Sequence, residues 1–264
     1  MHTFRMKSVI ILGSGRSGTS TVAGLFSRAG YFQGDNYMEA RTANPKGFFE
    51  DLEVNQINED ILASAYPRIP ERIRRILLPA YPFPGARWLS RVRKPDQLSC
   101  EPALANRIKS VLQQTPFCLK DPRFSYTLPF WLEHITEPTV LLCVYRHPQQ
   151  TIESIMRECR EFGPLHTLKM NAKIAEEIWY LMYKSILSMH AQVGKEFKFL
   201  FIHFEQLFDQ TNVKKIQEAV GVPSLHNIAE KAIVRSKDPL KNTIGATTAK
   251  VYASLNELSG FTEI

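Results

Sequence analysis

Eight residues near the start of the chain, Gly13-Ser14-Gly15-Arg16-Ser17-Gly18-Thr19-Ser20, have the composition of a phosphate-binding turn. Gly13 and Gly18 keep the separation of a Walker loop, G-x-x-x-x-G-K-[ST], with Ser20 at its Ser/Thr position but Thr19 where the lysine belongs. The backbone cradle survives that exchange, because glycines let amides point inward and a helix N-terminus adds partial positive charge. What is lost is the cation that reaches the β- and γ-phosphates. A cation stands within the turn instead, at Arg16. A nucleotide without a γ-phosphate needs no lysine at position 19, and a cation beside its α-phosphoryl group does more. The loop therefore predicts a phosphorylated nucleotide other than ATP.

A second anion site is written further on. The apolar run Thr139-Val140-Leu141-Leu142-Cys143-Val144-Tyr145 ends in Arg146-His147-Pro148, and Ser154 follows eight residues after Arg146. Pro148 suits the first turn of a helix, which puts Arg146 at the end of a strand and Ser154 about two turns into the helix. Arg146 can pair with a phosphate through two parallel hydrogen bonds, and Ser154 can donate one more. The same run ends in a cation, not in the acid of a Walker B element, which counts against a conventional NTPase.

These residues need a scaffold, and the chain alternates accordingly. Ser8–Leu12 is a β-branched apolar run bounded by glycine, and helical spacing follows from about 18 to 28, with Gly30 placed to stop it. A helix is expected over 52–63, and regular alternation resumes with a helix at 103–114 and a strand at 117–120. Further helices are expected at 125–135, 149–161 and 167–193, with strands at 139–145 and 198–203. Near-continuous apolar strands separated by helices predict a doubly wound α/β fold over 1–264: a mainly parallel sheet with helices on both faces and a P-loop-like nucleotide site. Residues 66–102 break the pattern with seven prolines, eight arginines and lysines, and Tyr81, Phe83 and Trp88. They read as an irregular lid or substrate-facing insertion, or as a solvated connection.

Composition narrows the partners. The net charge of +7 favours an anionic one, while nothing resembles a basic nucleic-acid-binding segment. The four cysteines form no CxxC pair, and Cys118 and Cys143 fall inside expected strands, so they read as free thiols in a reducing compartment. The histidines have no metal-ligand spacing with them, and no metal is expected. No apolar run reaches the ~18 residues of a membrane span, and no signal peptide is evident, so the chain reads as cytoplasmic. Oligomeric state is not legible.

Taken together, the two anion sites resemble the donor-binding elements of the sulfotransferase superfamily, which uses 3′-phosphoadenosine 5′-phosphosulfate. The matching residues are Gly15, Arg16, Ser17, Gly18, Thr19 and Ser20 in the first site, and Arg146 with Ser154 in the second. Looser likeness to the bacterial small-molecule and carbohydrate branches lies in Asn44-Pro45-Lys46-Gly47-Phe48-Phe49-Glu50, Lys120-Asp121-Pro122-Arg123 and Phe201-Ile202-His203-Phe204-Glu205-Gln206-Leu207. The catalytic His of the aryl and steroid branch and the C-terminal Arg-Lys-Gly have no counterpart, although Arg235, Lys237 and Lys241 are substitutes for the latter. The resemblance implies sulfuryl transfer to a hydroxyl, on a carbohydrate or another small metabolite. It implies Arg16 as the stabiliser of developing charge, assisted by Lys120 or Arg123. Glu50 heads the candidates for general base, with Asp51 and Glu39 as rivals. For Lys120 and Arg123 the competing reading is a structural salt bridge to Asp121. Two other readings of the chain stay open: a P-loop kinase of a small molecule, and a nucleotide-binding scaffold without activity.

Overall fold

The computed structural model describes residues 5–36, 49–67, 70, 73, 76, 81–225 and 243–263. Four strands are present among them: β1 (Ser8–Leu12), β2 (Cys118–Lys120), β3 (Thr139–Tyr145) and β4 (Lys198–His203). They form one sheet in the order β2-β1-β3-β4, every pairing parallel. The helices are α1 (Thr19–Phe26), α2 (Leu52–Ala63), α3 (Pro102–Leu112), α4 (Phe124–Leu132), α5 (Pro148–Glu161), α6 (Ala172–Val193), α7 (Gln210–Val220) and α8 (Ala246–Ser259).

A central parallel strand has no wet face, which is why β1 and β3 are apolar at nearly every position and buried throughout. Alternate residues face opposite ways. Val9, Ile11, Val140, Leu142 and Val144 pack with Val22 and Phe26 of α1 and Val213 and Ile216 of α7. Ile10, Leu12, Leu141, Cys143 and Tyr145 face the other way, into a larger core with α2 through α6 and α8. The outer strand β4 is buried only in its last three residues. Cys118 and Cys143 sit inside strands as free, fully buried thiols, and burial pushes both well above the usual thiol range.

Departures from the sequence expectation are local. The helix expected from 167 begins at Ala172, because Gly163–Leu168 winds more tightly as a 3-10 segment and Lys169 is left-handed. Asn171 then caps α6 by accepting from Ile174 N. The expected strand start at Phe117 is a single bridge to Phe32, and the ladder with β1 begins at Cys118. Within 81–100 the chain is irregular, with two 3-10 turns at Arg87–Leu89 and Pro95–Gln97. Among the described residues no helix is long and apolar enough to cross a membrane.

The topology dictates where a ligand can sit. The chain leaves β1 for β2 on one side, then returns past it to β3 on the other. The crevice therefore opens between the carboxyl ends of β1 and β3, where Gly13 and Arg146 emerge.

Candidate functional site

The loop after β1 is held shut by its own hydroxyls. Ser14 and Ser17, both fully buried, share a 2.7 Å hydrogen bond between their Oγ atoms. The Ser14 amide donates to Tyr183 Oη at 3.3 Å, and that hydroxyl donates onward to Val144 O at 2.8 Å, fastening the loop to β3 and α6. Gly18 caps α1 at φ 92°, a conformation that a side chain disfavours, and it has no side chain with which to occupy the first-turn amides. Thr19 and Ser20 form that first turn. Here an anion would meet unused N–H groups and the positive end of the helix.

Arg16 is the one non-glycine of the loop with positive φ, 71°, backbone strain of a kind that gathers at functional positions. Its Nε donates to Ser154 Oγ at 3.2 Å, and its Nη1 lies 3.7 Å from Glu158 Oε2. One side chain thereby joins the two sites that the sequence presents separately. Arg146 leaves β3 with its guanidinium 5.1 Å above the Phe204 ring, and its Nε donates to Gln150 Oε1 at 2.6 Å. Burial holds its pKa below the usual arginine range, and the neighbouring charges of Arg157 and Arg16 act the same way against Glu205 and Glu153. Cations crowded in this way gain from an anion placed among them.

On the other side of β1, Lys120 stands opposite Ile11 in the sheet, two residues before Gly13. Its Nζ pairs with Glu50 Oε1, both side chains being buried, and Asn55 Nδ2 donates to the other Glu50 oxygen at 3.0 Å. The salt bridge to Asp121 belongs to Arg123 instead, at 2.9 Å. Arg123 also pairs with Glu59 at 2.6 Å, and Glu59 in turn binds Arg87 at 2.9 Å. Burial opposes the charge on Arg123, but Asp121, Glu59 and Glu50 outweigh it and raise its pKa. Burial raises the Asp121 carboxyl to about 6, Arg123 acting against it and Glu50 with it. Arg123 and Lys120 are both buried, at 2% and 3% exposure, and each is paired with carboxylates, Arg123 with Asp121 and Glu59 and Lys120 with Glu50.

The rival base Asp51 has another occupation. It caps α2, accepting from Glu53 N and Val54 N with one oxygen and from Asp35 N and Asn36 N with the other. Glu39, the stretch Asn44–Phe48, and Arg235, Lys237 and Lys241 lie outside the described residues, as does part of 66–102. His147 caps α5 by accepting from Gln149 N, and burial lowers its pKa. His203 accepts from Glu205 N through Nδ1 and packs against Tyr145, Tyr252 and Phe261. Burial, helped by the positive neighbours His147 and Arg146, lowers its pKa to about 3.

Three neighbours of the loop and of Arg146 escaped the sequence reading, Glu158 beside Arg16, Gln150 beside Arg146 and Tyr183 under Ser14, while Phe204, quoted within the 201–207 motif, was not expected to lie against Gly18. Glu158 and Gln150 carried a usable signal, each being four residues from a residue already singled out. The contacts of Tyr183 and Phe204 with the loop carried none, because both residues reach it from other elements.

Two solved structures share this architecture. The sulfotransferase domain from the Synechococcus PCC 7002 olefin synthase matches with a TM-score of 0.53 at 16% identity, over 98% of this chain and 96% of that one. The sulfotransferase domain from the curacin biosynthetic pathway matches with a TM-score of 0.52 at 15% identity, over 96% of this chain and 98% of that one. No protein-family model and no curated protein matches the chain. The fold is that of the sulfotransferase domains, an α/β arrangement whose parallel sheet ends in a P-loop-like turn.

Proposed function

We propose that the protein transfers a sulfuryl group from 3′-phosphoadenosine 5′-phosphosulfate to a hydroxyl of a carbohydrate or another small metabolite. The observation that carries this reading is the hydrogen bond from Arg16 to Ser154, with Arg146 beside it. A donor with phosphate at both ends of its ribose needs two anion sites a few ångströms apart, and an ATP site needs only one. The solved neighbours come from an olefin synthase and from a biosynthetic pathway, which agrees with a metabolite as acceptor.

In this reading Gly15, Arg16, Ser17, Gly18, Thr19 and Ser20 hold the 5′-phosphosulfate, and Arg146 and Ser154 hold the 3′-phosphate. The acceptor oxygen attacks sulfur in line with the departing phosphate oxygen. The S–O bond to phosphate breaks as the new one forms, and adenosine 3′,5′-bisphosphate leaves. Glu50 takes the proton of the acceptor hydroxyl, while Arg16 and Lys120 stabilise charge on the bridging and sulfuryl oxygens. The Glu50–Lys120 contact keeps base and cation in reach of each other before the substrates arrive.

Calorimetry of adenosine 3′,5′-bisphosphate against ATP tests the donor site. The bisphosphate should bind more tightly and without magnesium. Tighter, magnesium-dependent binding of ATP would replace this reading with a kinase. Bisphosphate binding without sulfation of any acceptor would favour a scaffold.

A further inference from the structure

The chain has three tryptophans, and two of them, Trp131 and Trp179, are fully buried. Trp88 is partly exposed, in the 3-10 turn Arg87–Leu89 of the irregular segment. Its indole lies directly on the phosphate loop. A Cβ added at Gly15 would fall 2.5 Å from Trp88 Cε3 and 2.7 Å from Cζ3, and Trp88 supplies all three of the nearest atoms. Gly15 is therefore glycine because an aromatic ring occupies the space a side chain would take.

The ring is held there from two sides. On one, Arg87 donates from its amide to Glu59 Oε1 at 3.0 Å and from Nη1 to Glu59 Oε2 at 2.9 Å, and Gly85 N donates to the same carboxylate at 3.0 Å. On the other, Leu89 is buried in the core and Tyr126 Oη donates to Ser90 O at 3.2 Å. Glu59 also binds Arg123, three residues from Lys120, so the anchor of Trp88 runs on to the turn that carries the Lys120–Glu50 pair.

We propose that Trp88 is the aromatic wall of the donor site, through which the irregular segment shields the phosphate loop from water. This rests on the reading that the loop holds a phosphosulfate nucleotide. Water competes with the acceptor for an activated sulfuryl group, so an apolar ring over the loop both strengthens the amide–anion contacts and keeps water from the sulfur.

The test pairs two titrations of adenosine 3′,5′-bisphosphate on the full chain, one by calorimetry and one by tryptophan emission. The emission should change with the midpoint of the heat signal, since the other two indoles are sealed in the core. In Trp88→Phe the emission change should vanish while calorimetry still records binding. In Trp88→Ala the affinity should fall by about 3- to 10-fold, the loss expected for one aromatic contact. An emission change that persists in Trp88→Phe, or heat without any emission change in the parent protein, overturns the proposal and leaves the donor reading standing. No heat at all overturns the donor reading, and the proposal with it. A ligand-free check follows the Gly15 contact itself: Gly15→Ala should lower the unfolding midpoint, and Trp88→Ala in the same chain should restore most of that loss. Strictly additive losses would show that the ring does not lie on the loop.

Discussion

Arg16 Nε donates to Ser154 Oγ across 3.2 Å, linking a loop that leaves β1 to a helix that follows β3. The bond spans the crevice between the two central strands, so it brings the residues proposed for the two phosphates into contact. Ser154→Ala removes one neutral donor, and affinity for adenosine 3′,5′-bisphosphate should fall about fivefold, equivalent to about 1 kcal/mol. Arg146→Ala removes a charge-assisted pair and should weaken binding on the order of 10- to 100-fold. Calorimetry of both variants decides the matter, and unchanged affinity in both would remove the second phosphate from the site.

The Lys120–Glu50 pair makes a separate prediction about stability. Replacing one member leaves the other charge buried without its partner, which costs about 3–5 kcal/mol. Glu50→Gln and Lys120→Met should each lower the unfolding free energy from denaturant titration by that order, and the double variant should recover most of the loss. Activity should be absent from all three. Sulfation retained by Glu50→Gln would assign the base elsewhere.

Acid should unfold the protein through His203. Its pKa is lowered from the ordinary 6.5 to about 3, so the folded state holds the ring neutral where the unfolded chain would protonate it. The stabilisation is complete above pH 6.5 and is lost as pH falls towards 3, by at most about 1.4 kcal/mol per pH unit. His147 is lowered too and adds to the same slope. His203→Asn keeps an oxygen for the Glu205 amide and removes the titration, so its stability should fall less steeply between pH 6.5 and 4. Unfolding curves across that range would expose an identical slope if His203 had no part.

Gly18→Ala should be among the most damaging single methyl additions in the chain. The residue has φ 92°, and the new Cβ would fall 2.1 Å from Phe204 Cδ2. Left-handed strain costs about 1–2 kcal/mol and overpacking about 1–3 kcal/mol. Phe204→Ala should relieve only the second part. Complete rescue in thermal unfolding would show that the backbone at Gly18 carries no strain.

The sheet was legible because parallel strands buried on both faces read as unbroken apolar runs, and β3 announces itself over seven residues. The loop after β1 and the arginine at the end of β3 were legible because glycine spacing and a strand-end arginine are local patterns. Contacts made across the chain were not. Nothing near Glu50 in the sequence pairs it with Lys120, 70 positions away, and nothing near Arg123 marks Glu59, 64 positions away, as its second partner beside Asp121. Trp88 illustrates the same limit: its neighbours mark it as part of an irregular proline-rich stretch, and only the closed fold lays it on Gly15.

The Lys120–Glu50 pair and the neighbouring network of Asp121, Arg123, Glu59 and Arg87 contain three carboxylates and three cations, which cancel. The excess of +7 therefore comes from charges outside these six residues. An anion approaching from solution is drawn by those charges, over distances that salt shortens to about 8–10 Å at ordinary ionic strength. On the proposed function, the ions around Lys120 then act on it at contact range, where the buried Lys120–Glu50 pair is screened far less than exposed charges are. Capture and chemistry thus fall, on the proposed function, to two separate sets of charges, one tuned by the medium and the other by the fold.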